Sequence, residues 1–390
     1  ELIRQNFNHP SIMFWGVQNE IQIGGNRPEV RKVVKELAEL TKKEDPTRLT
    51  TQANVMFVPD EDEYNFMTDI VGYNKYYGWY QGEAEDFGPW MDEFHAKNPN
   101  VCLGISEYGA EGIIQYHNDD PKVKDYTEEY HALYHEIVWK AFSERPYLWS
   151  TYVWNMFDFG ANIRDEGGVQ GRNNKGLITY DRKIKKDAFY MYKANWSDEK
   201  VLHIASKRYV DRADDTIKVK IYTNCKEVTL YVNGAEVATK AGEDNIVIFE
   251  NVALQAGLNE VKAVSGDLED VAIFNKVEEA NPSYVCPESE SGGVVANWFE
   301  MPEDIGEIVI EELEITDDVY STRCTFGELF KNAEAKAVIQ KYLAGFNEEH
   351  PMYGMAEGMQ LDMLASLASD MFTKELMYLL NKELTQIKKA

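Results

Sequence analysis

Apolar and polar positions in the first half of the chain follow two different periods. Short apolar runs that end in polar residues are typical of buried strands, and segments with apolar residues three or four positions apart are typical of amphipathic helices. Strands alternating with helices favour a parallel sheet with helical crossovers. The predicted strands are 12–17, 49–53, 69–74, 101–107 and 149–155, and the predicted helices are 29–44, 90–96 and 123–145.

Polar and acidic residues cluster where these strands end. A (β/α)8 barrel places its active site at the carboxyl ends of its strands. Only about five strands can be identified, so roughly three of the eight expected are missing. Residues 1–197 are therefore predicted to be the C-terminal part of a TIM-barrel catalytic domain.

The second half of the chain has a different pattern of apolar and polar residues. Apolar residues alternate with period two, and Asn233-Gly234 between two such runs predicts a hairpin. Residues 198–280 are predicted to form a small antiparallel β-sandwich. The strand-like runs are 217–222, 228–232, 246–249 and 259–264.

Residues 281–390 contain 20 acidic residues against 8 Lys and Arg. A linker is predicted over 282–293, and a helix over 327–342. This segment is predicted to be a helical C-terminal domain, and an apolar stripe on it suggests self-association into a homo-oligomer. The residues that indicate two further helices are Leu361, Leu364, Leu367, Met371, Leu376, Leu379 and Leu380.

Charge and composition narrow the classes of partner. The 390 residues carry a net charge of -27, which disfavours nucleic acid and anionic membrane surfaces. No apolar run approaches the 18 residues of a membrane span. Four scattered cysteines without a CxxC pair suggest free thiols in a reducing compartment, and so a cytoplasmic location. Because the chain begins at Glu1, inside a motif, we expect an N-terminal portion to be missing.

Two glutamates are the leading candidates for chemistry. Glu20 and Glu107 each follow a buried apolar run, where burial would raise the pKa of a carboxyl group towards the range of a general acid. The alternative for each is a buried Glu paired with an Arg. Two such groups in one barrel mouth suggest glycoside hydrolysis, and a retaining mechanism needs them about 5–5.5 Å apart.

Aromatic residues crowd the segment after the third strand, where Tyr76, Tyr77, Trp79 and Tyr80 lie, and Trp154 ends the last strand. Aromatic faces suit the apolar faces of a sugar ring, and phenol hydroxyls can orient a carboxylate. Core packing is the alternative, and for Tyr77 and Trp79 both readings stay open.

Five ordered motifs resemble those of glycoside hydrolase family 2. Segment 8–12 with Trp15, Asn19 and Glu20 is similar to the family's acid/base signature, and segment 104–110 to its nucleophile signature. The three further matching segments are 74–80, 154–159 and 173–183. The match extends to about residue 197, and the sandwich resembles the immunoglobulin-like domain that follows the barrel in bacterial members.

The resemblance implies a role for each matching residue. Glu20 would protonate the glycosidic oxygen and later activate water, and Glu107 would form the covalent glycosyl-enzyme. Asn19 would contact the sugar 2-hydroxyl, Tyr76 would position Glu107, and Trp154 would form a wall of the sugar subsite. Tyr80 is a further candidate for substrate binding.

The sugar is predicted from the segments near residue 170. Asn173 and Lys175 form the kind of pair that β-glucuronidases use to bind the substrate carboxylate. Segments 157–161 and 163–167 look more like those of β-galactosidases carrying the extra sandwich. We therefore expect hydrolysis of a terminal β-D-galactoside or oligosaccharide, with β-glucuronide hydrolysis as the alternative.

Neither a protein-bound metal nor a cofactor is expected from this chain. His131 and His135 are four residues apart on a predicted helix without an evident third ligand, and His9 is expected to hold the loop before the first strand. A Mg²⁺ ion, as found in some family members, would have its ligands upstream. The rival of another class is an inactive fragment or a carbohydrate-binding module, because a barrel without three strands has open edges.

Overall fold

The computed structural model describes residues 1–24, 28–287, 308, 310–311, 313–348, 353–367 and 372–389. Within these residues the chain forms an α/β part, a two-sheet β-sandwich and a group of C-terminal helices. The predicted multidomain α/β plus β class is confirmed. None of the described helices is both long enough and apolar enough to cross a lipid bilayer.

The α/β part contains one parallel sheet whose five strands lie side by side in chain order. All five predicted strands are present, although the third and the last are shorter than predicted. Since the strands are parallel, their carboxyl ends share one edge of the sheet. The elements are α1 Leu2–Asn6, β1 Phe14–Asn19, the 3₁₀ helix η1 Ile21–Gly24, α2 Pro28–Glu44, β2 Leu49–Val55, η2 Glu63–Phe66, β3 Val71–Asn74, η3 Ala84–Asp86, α3 Phe87–Lys97, β4 Leu103–Tyr108, α4 Glu128–Ser143, β5 Thr151–Val153 and, after the hairpin described below, α5 Asp187–Trp196.

Helix α2 packs on the sheet with a narrower face than its apolar pattern suggests. Val34, Ala38 and Thr41 are buried, whereas Val33 is 48% exposed and Leu40 is 50% exposed. The predicted helix is confirmed, but part of its apolar stripe is exposed. The reason is position, because α2 lies over β1 at the edge of the described sheet and only one side of the helix reaches it.

A hairpin that the sequence pattern did not indicate follows β5. Its strands are β6 Phe159–Glu166 and β7 Val169–Asn173, which pair antiparallel. Gly167 and Gly168 form the two-residue turn with positive φ angles of 62° and 70°, which suit glycine in a tight hairpin. This hairpin places Arg164 and Asn173 beside the carboxyl ends of the parallel strands.

The β-sandwich consists of a three-stranded and a five-stranded sheet around a shared apolar core. The hairpin at Asn233-Gly234 is confirmed, with both residues at positive φ. The prediction of purely antiparallel pairing is wrong at one edge, where β9 pairs parallel with β15. The strands are β8 Leu202–Ile204, β9 Asp211–Arg212, β10 Thr216–Thr223, β11 Glu227–Val232, β12 Ala235–Ala241, β13 Ile246–Ala253, β14 Gly257–Ser265 and β15 Leu268–Lys276.

The C-terminal helices have an apolar core of their own. The helix predicted over 327–342 is interrupted at Asn332, whose side chain caps the second half by accepting from the backbone N–H groups of Glu334 and Ala335. Met371 and the second half of the predicted linker, residues 288–293, lie outside the described residues. The helices are η4 Pro282–Tyr284, α6 Phe326–Lys331, α7 Ala333–Tyr342, α8 Tyr353–Ala356, α9 Leu361–Leu367 and α10 Lys374–Leu384.

Candidate active site

The two candidate glutamates lie at the carboxyl ends of strands in the same sheet. Glu20 directly follows β1 and has a φ of 50°, so the backbone turns there from the strand into η1. Its N–H donates to the carbonyl of Ala53 on β2 at 2.9 Å. Glu107 is the penultimate residue of β4. Both carboxyl groups therefore belong to the edge where the strands end.

Asn74, at the end of β3, connects these strand ends. It is fully buried, its Nδ2 donates to Asn19 Oδ1 at 3.0 Å, and its Oδ1 accepts from Ser106 Oγ at 2.7 Å. Residues on β1, β3 and β4 are thus held by one carboxamide. Asn74 begins the motif segment 74–80, but it was not predicted to be a site residue. The signal that could have indicated a site residue was its position at the end of a strand, since Glu20 and Glu107 lie at the ends of other strands in the same sheet.

Burial raises the pKa of both glutamates. For Glu107 burial raises the pKa to about 7, against the hydrogen bond from Tyr76, with the Glu20 charge adding to the rise and with Asn74 and the Lys175 charge opposing it. Burial also raises the pKa of Glu20, and a hydrogen bond from Asn74 partly offsets it. The Glu20 charge therefore acts on Glu107, and burial raises the pKa of each carboxyl group from the ordinary value of Glu.

Tyr76 is bonded directly to Glu107. Its hydroxyl donates to Glu107 Oε2 at 2.7 Å, and its ring is buried against Tyr80, with ring centroids 5.1 Å apart. A donor at this distance stabilises the ionised carboxylate and fixes the direction of one oxygen.

Tyr80 joins two cations. Its hydroxyl oxygen accepts from Lys175 Nζ at 2.9 Å and from Arg164 Nη2 at 3.1 Å. A hydroxyl has two acceptor lone pairs and one hydrogen, so these two bonds leave the hydrogen of Tyr80 for an acceptor. The arrangement is suited to an anion that meets two cations and a phenol.

Two carboxylates, Glu111 and Glu166, form ion pairs with the same cations. Glu111 is fully buried, and its Oε1 accepts from Lys175 Nζ at 2.9 Å and Arg164 Nη1 at 3.1 Å. Arg164 Nη1 also donates to Glu166 Oε1 at 3.1 Å. Buried charges persist only when paired, so Glu111 is what allows Lys175 to stay charged inside the protein. Sequence reasoning did not propose Glu111 or Arg164 as site residues.

Asn173 and Trp154 have well-defined positions beside this cluster. The Asn173 Oδ1 accepts from the backbone N–H of Lys175 at 3.0 Å, which fixes the turn that points the lysine inward. The Trp154 ring lies edge-on to Phe159 at 5.7 Å between centroids. A Cβ at Gly109 would lie 2.2 Å from the Trp154 carbonyl oxygen, so only glycine allows this approach.

Three other candidates from the sequence, Trp79, Tyr77 and His135, contact neighbouring side chains in the protein interior. Trp79 is buried against Tyr126, and Tyr77 packs on Phe87, so both belong to the core. His135 is buried on α4, where its Nδ1 lies 2.8 Å from the hydroxyl of Tyr192. Among the described residues no group of three or more His, Cys, Asp or Glu is arranged to hold a metal ion.

The carbonyl of His9, before β1, accepts from Arg48. This contact ties the loop that precedes the first strand to β2.

Comparison with known proteins identifies the two large parts of the chain. Residues 1–200 match the family model described as the TIM barrel domain of glycosyl hydrolases family 2, and residues 214–269 match a domain of unknown function, DUF4982. A β-glucuronidase of Bacteroides fragilis is 42% identical over 272 residues, which are 68% of this chain and 38% of that protein.

Solved structures give the same picture. An FMN-binding β-glucuronidase of Faecalibacterium prausnitzii L2-6 is 51% identical, with a TM-score of 0.72, over 73% of this chain and 44% of that one. A structure named putative β-galactosidase from Bacteroides fragilis is 36% identical, with a TM-score of 0.67, over 72% of this chain and 43% of that one. The chain thus spans less than half the length of the relatives it matches.

These findings correct one prediction and confirm another. The preference for a β-galactoside is wrong, because the relatives at 42% and 51% identity are named β-glucuronidases. That preference relied partly on segment 163–167, yet in the structure this segment brings the Arg164 guanidinium to Tyr80, beside Lys175. The predicted family is confirmed: the chain belongs to glycoside hydrolase family 2.

Proposed function

We propose that this chain carries the catalytic carboxylates and the sugar-binding site of a retaining β-glucuronidase whose full length exceeds these 390 residues. The observation that carries the proposal is the meeting of Lys175 and Arg164 on the hydroxyl of Tyr80. A neutral sugar has no use for two buried cations, whereas a glucuronide presents one carboxylate. The names of the relatives support the same substrate class.

The proposed reaction uses the two glutamates in succession. Glu107 attacks the anomeric carbon while Glu20 donates its proton to the departing glycosidic oxygen, so that a glycosyl ester forms and an alcohol leaves. Glu20, now ionised, takes a proton from water as the water oxygen attacks the anomeric carbon; the bond from that carbon to Glu107 breaks, Glu107 leaves as a carboxylate, and the sugar is released with retained configuration. The raised pKa of Glu20 supports its role as donor.

The uronate carboxylate is proposed to lie between Lys175, Arg164 and the free hydrogen of Tyr80. Each of these contacts is a charge-assisted or directed hydrogen bond in a water-poor site, where such bonds are strongest. Asn173 supports the site through the backbone of Lys175. The Lys175 charge also lowers the pKa of Glu107, after burial has raised it, so the anion site lies near the nucleophile.

We also propose the architecture of the longer protein. The boundaries 1–197, 198–280 and 281–390 separate the C-terminal part of a TIM barrel, an immunoglobulin-like sandwich and a helical C-terminal domain. The exposed apolar side chains of α2 support the idea that further barrel elements pack there. On this view the isolated chain is an incomplete catalytic unit, and activity assays belong on the full-length protein.

The test is a substrate ratio in the full-length protein. We compare kcat/KM for nitrophenyl β-glucuronide and nitrophenyl β-galactoside in the unmodified protein and in Arg164→Met. Loss of a hydrogen bond to a charged group is worth about 1.5–3 kcal/mol, so the glucuronide-to-galactoside ratio should fall about 10- to 150-fold. The ratio does not depend on the folded fraction. An unmodified protein that prefers the galactoside, or an unchanged ratio in the variant, would overturn the proposal.

A further inference from the structure

A large cleft separates the α/β part from the C-terminal helices. Its volume is about 760 Å³, within the range of 300–1,000 Å³ that is common for small-molecule sites. One wall consists of residues from the loops after β1 and β2, including Gln22, Phe57 and Pro59. The opposite wall belongs to the C-terminal helices and includes Glu357 and Gln360.

The cleft lies on the same face as the candidate active site. Gln22 and Phe57 follow the carboxyl ends of β1 and β2, and Gln22 is two residues from Glu20. The buried carboxamide of Gln22 donates to Asn54 Oδ1 at 2.9 Å, which fixes η1 to the end of β2. The wall of the cleft is therefore held to the backbone that carries Glu20.

The C-terminal helices are anchored at this point. Ile23, in η1, packs against their apolar core, and α8 lies against η1. Moving the helices away would expose Ile23 and the buried surface around it. They consequently form a fixed wall beside the loop after β1 rather than a freely hinged appendage.

The direction of the substrate follows from the order of the strands. The cations Lys175 and Arg164 contact Tyr80 and Glu111, which follow β3 and β4, whereas the cleft is lined by residues that follow β1 and β2. If the uronate carboxylate points to the cations, the leaving group points past Glu20, which protonates its oxygen. The leaving group then extends towards the cleft.

We propose that the cleft binds the leaving-group side of the substrate and that its ligand is an uncharged, hydroxyl-rich group such as one or two neutral sugar residues. The proposal rests on the assignment of Glu20 as proton donor. Four carboxylates line the cleft against one lysine, so an anionic leaving group is disfavoured. The carboxamides and carboxylates accept hydrogen bonds from hydroxyls, and Phe57 offers an apolar face to a sugar ring. The charged lining residues are Asp62, Glu328, Glu357, Asp362 and Lys331.

The test compares long and short substrates in the full-length protein. The probes are nitrophenyl β-glucuronide and a glucuronide of a neutral disaccharide, and the readout is the ratio of their kcat/KM values. Phe57→Ala should lower the oligosaccharide-to-nitrophenyl ratio about five- to tenfold, as expected for the loss of one aromatic contact. Phe66→Ala is the matched control, because Phe66 is 58% exposed on the neighbouring η2 and is not part of the cleft lining.

A second arm tests the charge preference. The unmodified protein should hydrolyse the neutral disaccharide glucuronide faster than one whose leaving sugar carries a carboxylate, and Glu357→Lys should narrow that difference. A ratio that stays the same or rises in Phe57→Ala, or a preference of the unmodified protein for the anionic leaving group, overturns the inference. Failure to hydrolyse nitrophenyl β-glucuronide at all would instead overturn the proposed function.

Discussion

The hydroxyl of Tyr76 should set the acid limb of the pH profile. It donates to Glu107 Oε2 at 2.7 Å, and without it burial alone would raise the pKa of that carboxyl group above its value of about 7. A hydrogen bond to a charged group is worth about 1.5–3 kcal/mol. At 1.36 kcal/mol per pH unit, Tyr76→Phe should raise the pKa of Glu107 by about one to two units.

The expected result has a definite sign. The nucleophile acts as a carboxylate, and removing a donor disfavours that form, so kcat/KM in Tyr76→Phe should rise only as pH passes about 8 to 9. At pH 6 the variant should be about 10- to 100-fold slower than the unmodified protein from ionisation alone. The assay is the pH dependence of kcat/KM for nitrophenyl β-glucuronide with the full-length protein.

Tyr80→Phe is the matched control. Its hydroxyl contacts Lys175 and Arg164, so this variant should raise KM for the glucuronide and leave the acid limb near that of the unmodified protein. If Tyr76→Phe is slower yet has the same acid limb, the hydroxyl does not stabilise the Glu107 carboxylate and the reasoning fails.

Two further substitutions test packing and buried ionisation. Gly109→Ala puts a Cβ 2.2 Å from the carbonyl oxygen of Trp154, and displacing that backbone by about 1 Å should lower kcat/KM about 100-fold. Gly160→Ala is the control and should change kcat/KM little, because a Cβ there would have nothing within 4 Å. Equal rates for the two variants would contradict this account. Burial lowers the pKa of His135 to about 3. Its ordinary value is about 6.5, so its neutral form contributes stability above that pH, and about 3 kcal/mol of this is lost by pH 4.5. His135→Gln should therefore lose less thermal stability than the unmodified protein between pH 7 and pH 4.5, and parallel losses would count against it.

The sequence predicted those parts of the fold that depend on local periodicity. The five parallel strands were identifiable because each is a short apolar run, and the hairpin at Asn233-Gly234 because its turn demands positive φ. The β6–β7 hairpin was missed because its strands carry charged and glycine residues without alternation. The periodicity of α2 indicated an amphipathic helix but not which of its apolar residues are buried, because that depends on what lies beside the helix in the assembled sheet.

The residues of the candidate site that lie in recognisable motifs could be predicted from the sequence, and those positioned by the fold could not. Glu20 and Glu107 end recognisable motifs, and Asn173 and Lys175 stand in a short familiar pattern. Arg164 could not be found in this way, because its role depends on the hairpin that turns it towards Tyr80. Segment 163–167, which was interpreted as indicating a β-galactoside, therefore carries the second cation of the site, Arg164.

The ionisation of Glu107, the proposed nucleophile, shows why the motifs alone do not make an active site. Burial pushes the pKa of Glu107 upward, and a carboxyl group that was buried without partners would be neutral at pH 7. The hydroxyl of Tyr76, the carboxamide of Asn74 and the charge of Lys175 bring it back to about 7. Two of these groups lie at the end of β3 and just after it, and the third lies in the turn after β7, so they come from two distant places along the chain. The same burial therefore requires partners from two parts of the fold, and the end of β3 and the hairpin β6–β7 supply them together at the carboxyl ends of the parallel strands.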